Sequence, residues 1–192
     1  MSLGVESDAL SAVGRASHEI GIGALIGGNL FARTAMHPSL TEISDERERG
    51  RVLNRSWRRY GTVNSIALAA VVAGWAGARL EEARPRMLSG RERRLAVGKD
   101  LAVAAVAVTG VASAVLGVRF SADAPEGSVP MKDGDHTAAE ASDEAARRKR
   151  WLNRVGAANL VSAVALAAIN ASLSQTNFRR PPVRRLLRRS YG

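Results

Sequence analysis

The stretch Leu101-Ala-Val-Ala-Ala-Val-Ala-Val-Thr-Gly-Val-Ala-Ser-Ala-Val-Leu-Gly-Val118 decides the fold. It is almost entirely Ala, Val, Gly and Leu, it holds no Asp, Glu, Lys or Arg, and Arg119 closes it. As a helix its 18 residues extend about 27 Å, close to the hydrocarbon thickness of a bilayer. Working outward, the same pattern returns three times. Ile20–Ala32, Gly61–Ala78 and Gly156–Phe178 are equally free of charged side chains, so every one of the 28 Lys+Arg and 18 Asp+Glu residues lies in the segments between these runs or at the ends. Three of the four runs are long enough to cross a membrane, a repetition that a soluble domain seldom shows. The sequence therefore predicts an all-α polytopic membrane protein with four transmembrane helices, spanning about 9–36, 61–78, 101–118 and 156–178.

The net charge of +10 first suggests a nucleic-acid binder. Its placement beside the apolar runs points instead to membrane-flanking loops, and three Trp, two Tyr and three Phe offer no stacking platform, so no nucleic acid is expected as a partner. Cysteine is absent, which excludes disulfides, thiolate metal sites and Cys nucleophiles. Lys99, Lys132 and Lys149 are the only lysines, a bias that with the high alanine content suggests a GC-rich bacterial genome and hence a bacterial plasma membrane. Residues 1–10 contain no basic residue, so they lack the positive start of a cleaved signal peptide and the first helix is expected to be retained.

The first helix has the shortest uncharged centre, 13 residues, and carries Arg15, His18 and Glu19 near one end and Arg33 at the other. His37-Pro38 marks its expected exit, because the residue before proline disfavours helix. Leu40 to Tyr60 is a charged connector whose Trp57 and Tyr60 read as an interfacial aromatic anchor for the second helix. Arg79 to Lys99 is a second basic connector, broken by Pro85 and Gly90. Residues 121–144 are polar and rich in proline, glycine and acid, and are expected to be a mobile loop. After Pro181-Pro182 the tail 179–192 reads as a short basic amphipathic helix in which Arg184, Arg185, Arg188 and Arg189 face anionic lipid headgroups. Basic residues divide almost evenly between the two sides. The acid-free tail favours cytoplasmic termini.

Helix two opens Arg59-Tyr-Gly61-Thr-Val-Asn64 and helix four opens Arg154-Val-Gly156-Ala-Ala-Asn159. Both read R-x-G-x-x-N, both follow a tryptophan, and both are preceded by Ser-Asp-Glu. A duplicated two-helix hairpin would explain the echo, and chance similarity between Ala-rich helices is the alternative. The small-residue first helix ending near His37-Pro38 and the Trp151-Leu-Asn-Arg154 entrance to the last helix resemble the anthrone oxygenase-like family of small four-helix membrane proteins, over residues 20–80 and 147–175. That resemblance implies oxygenation of a polycyclic aromatic substrate.

His18 and Glu19 are the leading candidates for chemistry, with His37 beside them, because ionisable groups at membrane depth are costly and are retained for function or paired. The other reading of His18 and Glu19 is a helix end at the interface, with Glu19 paired to Arg15. His18 and His37 stand 19 residues apart, roughly 28 Å along a helix, so one chain cannot sandwich a haem between them. No span carries the carboxylate and histidine spacing of a di-iron or zinc centre, so neither metal nor cofactor is expected. Asn29, Asn64, Asn159 and Asn170 are expected to face the bundle interior, bonding across helices or lining a ligand cavity. Gly21-Ile-Gly23-Ala-Leu-Ile-Gly27 lacks the strand and the spacing of a dinucleotide loop, so Gly23 and Gly27 are expected to form a close-packing helix face. Two functions remain open: a non-catalytic membrane subunit or scaffold, as a homo-oligomer or within a larger complex, and an oxygenase-like enzyme for a lipophilic aromatic.

Overall fold

A computed structural model describes residues 2–81, 90–124 and 128–178. Four long helices dominate it: α1 (Ser2–Phe31), α2 (Glu46–Glu81), α3 (Gly90–Ser121) and α4 (Asp143–Phe178). Among the described residues there is no β-strand beyond one isolated bridge, Met131 to Thr137. The predicted all-α architecture is therefore present. Three of the helices, α2, α3 and α4, are long and apolar enough to cross a membrane. The fourth expected span, α1, does not reach that standard, since its apolar centre is short and bordered by Glu19 and Arg33.

Both helix starts that follow a Ser-Asp-Glu are capped, though by different residues. Asp45 Oδ1 accepts the Glu48 backbone N–H at 2.7 Å, and Ser142 Oγ accepts that of Ala145 at 3.2 Å, so each side chain satisfies an orphan donor of the first turn. α1 does not stop before Pro38. It continues through a π-helical segment (Ala32–Met36), a turn of α-helix (His37–Ser39) and a 3-10 turn (Leu40–Glu42), and the chain becomes extended only at Ile43. Proline has no N–H to give to the carbonyl four residues back, and the wider π register, in which the His37 N–H reaches Ala32 O, carries the helix past that gap.

Packing is strongest within two antiparallel pairs, α1 with α2 and α3 with α4. The pairs meet around a core of Ile22, Leu25, Ala67, Val71, Ala102, Val103, Val106, Ala163 and Leu166. Two glycines of α1 allow close approach to α2. A Cβ on Gly21 would lie 2.7 Å from the Ala67 carbonyl oxygen, and one on Gly28 would overlap the Tyr60 ring, whose hydroxyl donates to Ala24 O at 2.7 Å. Gly23 and Gly27, expected to form the packing face, meet nothing within 4 Å and point outward. The 3.6-residue period separates the two sets: Gly21 and Gly28 lie two turns apart on the α2-facing side, with Gly23 and Gly27 rotated off it.

Residues 128–142, expected as a mobile loop, fold back as a strap over one end of the bundle. Met131 is fully buried and joins Leu40 and Leu53 in a second core, flanked by Met36, Ile43, Trp57 and Phe120. The Met131 N–H donates to Glu46 O at 2.9 Å, Ala138 N–H to Pro130 O at 3.0 Å, and Arg49 donates to Lys132 O at 2.7 Å. Gly50 is the seat of the strap. Its missing side chain admits the Val129 carbonyl, which a Cβ would strike. The polar composition that read as disorder holds three buried apolar residues, Val129, Met131 and Ala138, and enough paired backbone to order the segment. The basic tail, including Arg184, Arg185, Arg188 and Arg189, lies outside the described residues, as does Pro85.

Candidate functional site

The polar residues predicted to carry function fall at two ends of the bundle, and most are engaged with another helix. His18 and Glu19 are adjacent in sequence but leave α1 in different directions. His18 is buried against Gly74 of α2, and its Nδ1–H donates to Val71 O at 2.7 Å. Glu19 instead reaches α4, where its Oε1 accepts from Asn170 Nδ2 at 2.9 Å. They do not form a histidine–carboxylate pair. One turn beyond, Asp100 of α3 accepts from Trp75 Nε1 at 2.8 Å and from the Arg79 guanidinium, both on α2. This end is a set of cross-helix ties that join all four helices.

The asparagines divide. Asn159 on α4 donates to Val106 O at 3.1 Å and to Thr109 Oγ1 at 3.0 Å, both on α3. Asn29 turns back to its own helix, donating to Leu25 O at 3.0 Å, and makes no tie to another helix among the described residues. Asn64, the counterpart of Asn159 in the R-x-G-x-x-N echo, is half-buried with its Oδ1 unbonded among the described residues. The two copies of the echo therefore share placement on their helices and differ in bonding.

At the other end, beneath the strap, lies a cluster that no sequence motif announced. His37 is buried, its Nδ1 lies 3.0 Å from Asp135 Oδ1, and its ring meets Trp57 edge-on at 6.1 Å. Gly134 sits directly on His37, where any side chain would collide. Asn153 of α4 donates to Asp135 O at 2.8 Å, and Arg33 donates to Asn153 O at 3.3 Å. Lys149 is buried beside them, with its Nζ 5.9 Å from the Phe120 ring centroid. The hydrogen bond from His37, with further attraction from His37, Lys149 and Arg33, holds the Asp135 carboxyl below its usual range. Desolvation pushes the Lys149 ammonium down to about 8, against the pull of Asp135 and Asp133. Lys149 lies nearly two turns before Gly156, outside the uncharged run of α4.

His37 and Asp135 are 98 positions apart in the chain. Only the fold-back of the strap unites them, and the one local signal was an aspartate beside a glycine in an otherwise polar loop. His18 lies midway along α1 and His37 in the turn beyond its C-terminal end, 19 residues on. Each keeps a buried Nε2 with no partner among the described residues. A groove of about 530 Å³ is open along α1 and α2 between Gly14, Arg15, Ser17, Ala70, Gly74 and Ala78. It does not contain Glu19, Asn64 or His37. Among the described residues no cluster of three or more His, Asp or Glu side chains could hold a metal ion. No protein-family model, curated protein or solved structure matches the chain.

Proposed function

We propose that this chain is a small integral membrane protein acting as a non-catalytic subunit or scaffold through helix packing. In this reading four helices, α1 included, cross a bacterial plasma membrane as a duplicated hairpin, with both termini on the cytoplasmic side. One observation carries it. The most apolar windows of α2, α3 and α4 are only 11%, 17% and 22% buried within the chain, so most of their apolar surface needs lipid or another helix to cover it. Ile20, Leu101, Val108, Val118 and Val161 are among the large side chains left outward. Inside, the polar groups that catalysis would require are engaged across helices: His18 with Val71, Glu19 with Asn170, Asn159 with Thr109. Gly23 and Gly27, open on the outer face of α1, suit close approach by a partner helix.

The anthrone oxygenase-like reading keeps one observation in its favour, the buried Nε2 atoms of His18 and His37, which have no hydrogen-bond partner among the described residues. The same measurement separates the two readings. The protein is purified under an affinity tag from its native membrane in mild detergent, and the copurifying proteins and small molecules are identified by mass spectrometry. A stoichiometric protein partner or a defined homo-oligomer is expected. A homogeneous assembly retaining an aromatic or quinone-like lipid, with no partner, would move the conclusion to the enzyme.

A further inference from the structure

Each long helix carries an arginine where its uncharged run meets the strap end of the bundle. Arg33 follows Ile20–Ala32, Arg59 comes two residues before Gly61–Ala78, Arg119 follows Leu101–Val118, and Arg154 comes two residues before Gly156–Phe178. Contacts place them at the same end. Arg33 bonds Asn153 O, Arg148 bonds Arg119 O at 3.1 Å, and Tyr60 bonds Ala24 O. Three other cations here are consumed by the fold: Arg49 holds the strap, Arg148 pairs with Asp123 and Glu144, and Lys149 is buried, while Arg55, Arg58, Arg147 and Arg150 are exposed but lie further from the uncharged runs. Arg59, Arg119 and Arg154 are exposed and pair with no carboxylate among the described residues. Beside them Trp151 is 57% exposed, with the Arg154 guanidinium 5.4 Å from its ring centroid, the amphipathic aromatic expected at headgroup depth. The opposite end is basic too, with Arg91, Arg93 and Arg94 exposed about two turns before the uncharged run of α3, but there Arg79, the arginine next to the uncharged run of α2, is neutralised by Asp100.

We propose that Arg59, Arg119 and Arg154, with Trp151, form an anionic-phospholipid site on the strap-end leaflet, binding headgroup phosphates through exposed guanidiniums that no protein carboxylate neutralises. The inference rests on the membrane-spanning reading and adds to it a lipid class and a face. Guanidinium groups suit phosphate because their planar fork donates two parallel hydrogen bonds. A basic side chain near an anionic surface contributes about a fivefold gain in binding. The R-x-G-x-x-N echo also gains a physical sense, since its arginine occupies the boundary position in both copies.

The test uses the full chain reconstituted into phosphatidylcholine vesicles in which either the phosphatidylcholine or an added fraction of phosphatidylglycerol carries bromine, with tryptophan fluorescence quenching as the readout. Brominated phosphatidylglycerol should quench more than its mole fraction predicts. The preference should fall about fivefold in R154Q, further in the R59Q/R119Q/R154Q variant, and with added salt. It should persist when Arg184, Arg185, Arg188 and Arg189 are changed to glutamine. If the triple variant does not reconstitute, the R59K/R119K/R154K variant, which keeps the charge and should keep most of the preference, and the salt series on the unmodified chain decide. Equal quenching by both lipids, or a preference lost with the tail arginines and kept in the triple variant, overturns the site. No quenching by either lipid would overturn the membrane-spanning reading itself, and the site with it.

Discussion

Lys149 is only 3% exposed, facing Phe120 and the carboxylates of Asp135 and Asp133. Because burial lowers its pKa to about 8 in the folded chain, from an ordinary 10.5, the unfolded chain binds more protons between those values. Stability therefore rises with pH across that interval, and below about 8 the buried charge is a full liability. Lys149→Met should raise the unfolding midpoint at neutral pH, by on the order of 1–3 kcal/mol, with the advantage shrinking as the pH climbs toward 10.5. Thermal unfolding of both proteins in detergent across that range checks it, and parallel curves would remove the buried charge from the account. Asp135 works in the opposite sense. Its depressed pKa contributes stability above the ordinary carboxyl range, which is lost as the pH falls through its folded value. Neither role was legible in the sequence: Lys149 sits in an Arg147–Arg150 run that reads as a solvated face, and only the strap makes it internal.

Along single elements, the glycines separate pattern from contact. Gly50→Ala should cost about 1–3 kcal/mol, since the obstacle is the Val129 backbone carbonyl, which cannot rotate away as a side chain can. Gly23→Ala and Gly27→Ala should leave the fold intact or stabilise it, each by about 0.5–1 kcal/mol, because alanine suits a helix interior and nothing stands in its way. Unfolding midpoints in detergent distinguish these outcomes. A Gly23→Ala chain that folds normally but loses a native oligomer would place the partner copy on that face of α1. The helices themselves were readable from their charge-free runs. The strap was not, because its buried apolar residues, Val129, Met131 and Ala138, are set among Pro130, Lys132 and acidic residues and make no helical period. The delayed end of α1 was missed for a related reason: a proline limits the α-register, and the sequence gives no sign that a π turn will carry the chain beyond it.

For the molecule as a whole, the antiparallel order of four helices puts the start of α1, the end of α2, the start of α3 and the end of α4 at one end and the strap at the other. The absence of cysteine makes the topology directly measurable. With the termini cytoplasmic, Glu140→Cys on the strap should react with an impermeant maleimide added to intact cells, and Arg91→Cys, exposed at the start of α3, should react only after permeabilisation. The reverse pattern would invert the orientation, and equal labelling of both would argue against spanning. The amino-acid sequence by itself determined the helical class, the apolar runs and their basic borders, because hydropathy and helix length are local properties that survive any arrangement of neighbours. It also placed His18, Glu19, Asn159 and Asn170 on their helices. Which of them meet was a different matter. The His18–Val71, Glu19–Asn170 and His37–Asp135 pairs, the burial of Lys149 and the seating of the strap on Gly50 were decided by the tertiary structure alone, because each depends on the rotation of one helix against another and on a chain reversal that brings residues up to 151 positions apart into contact.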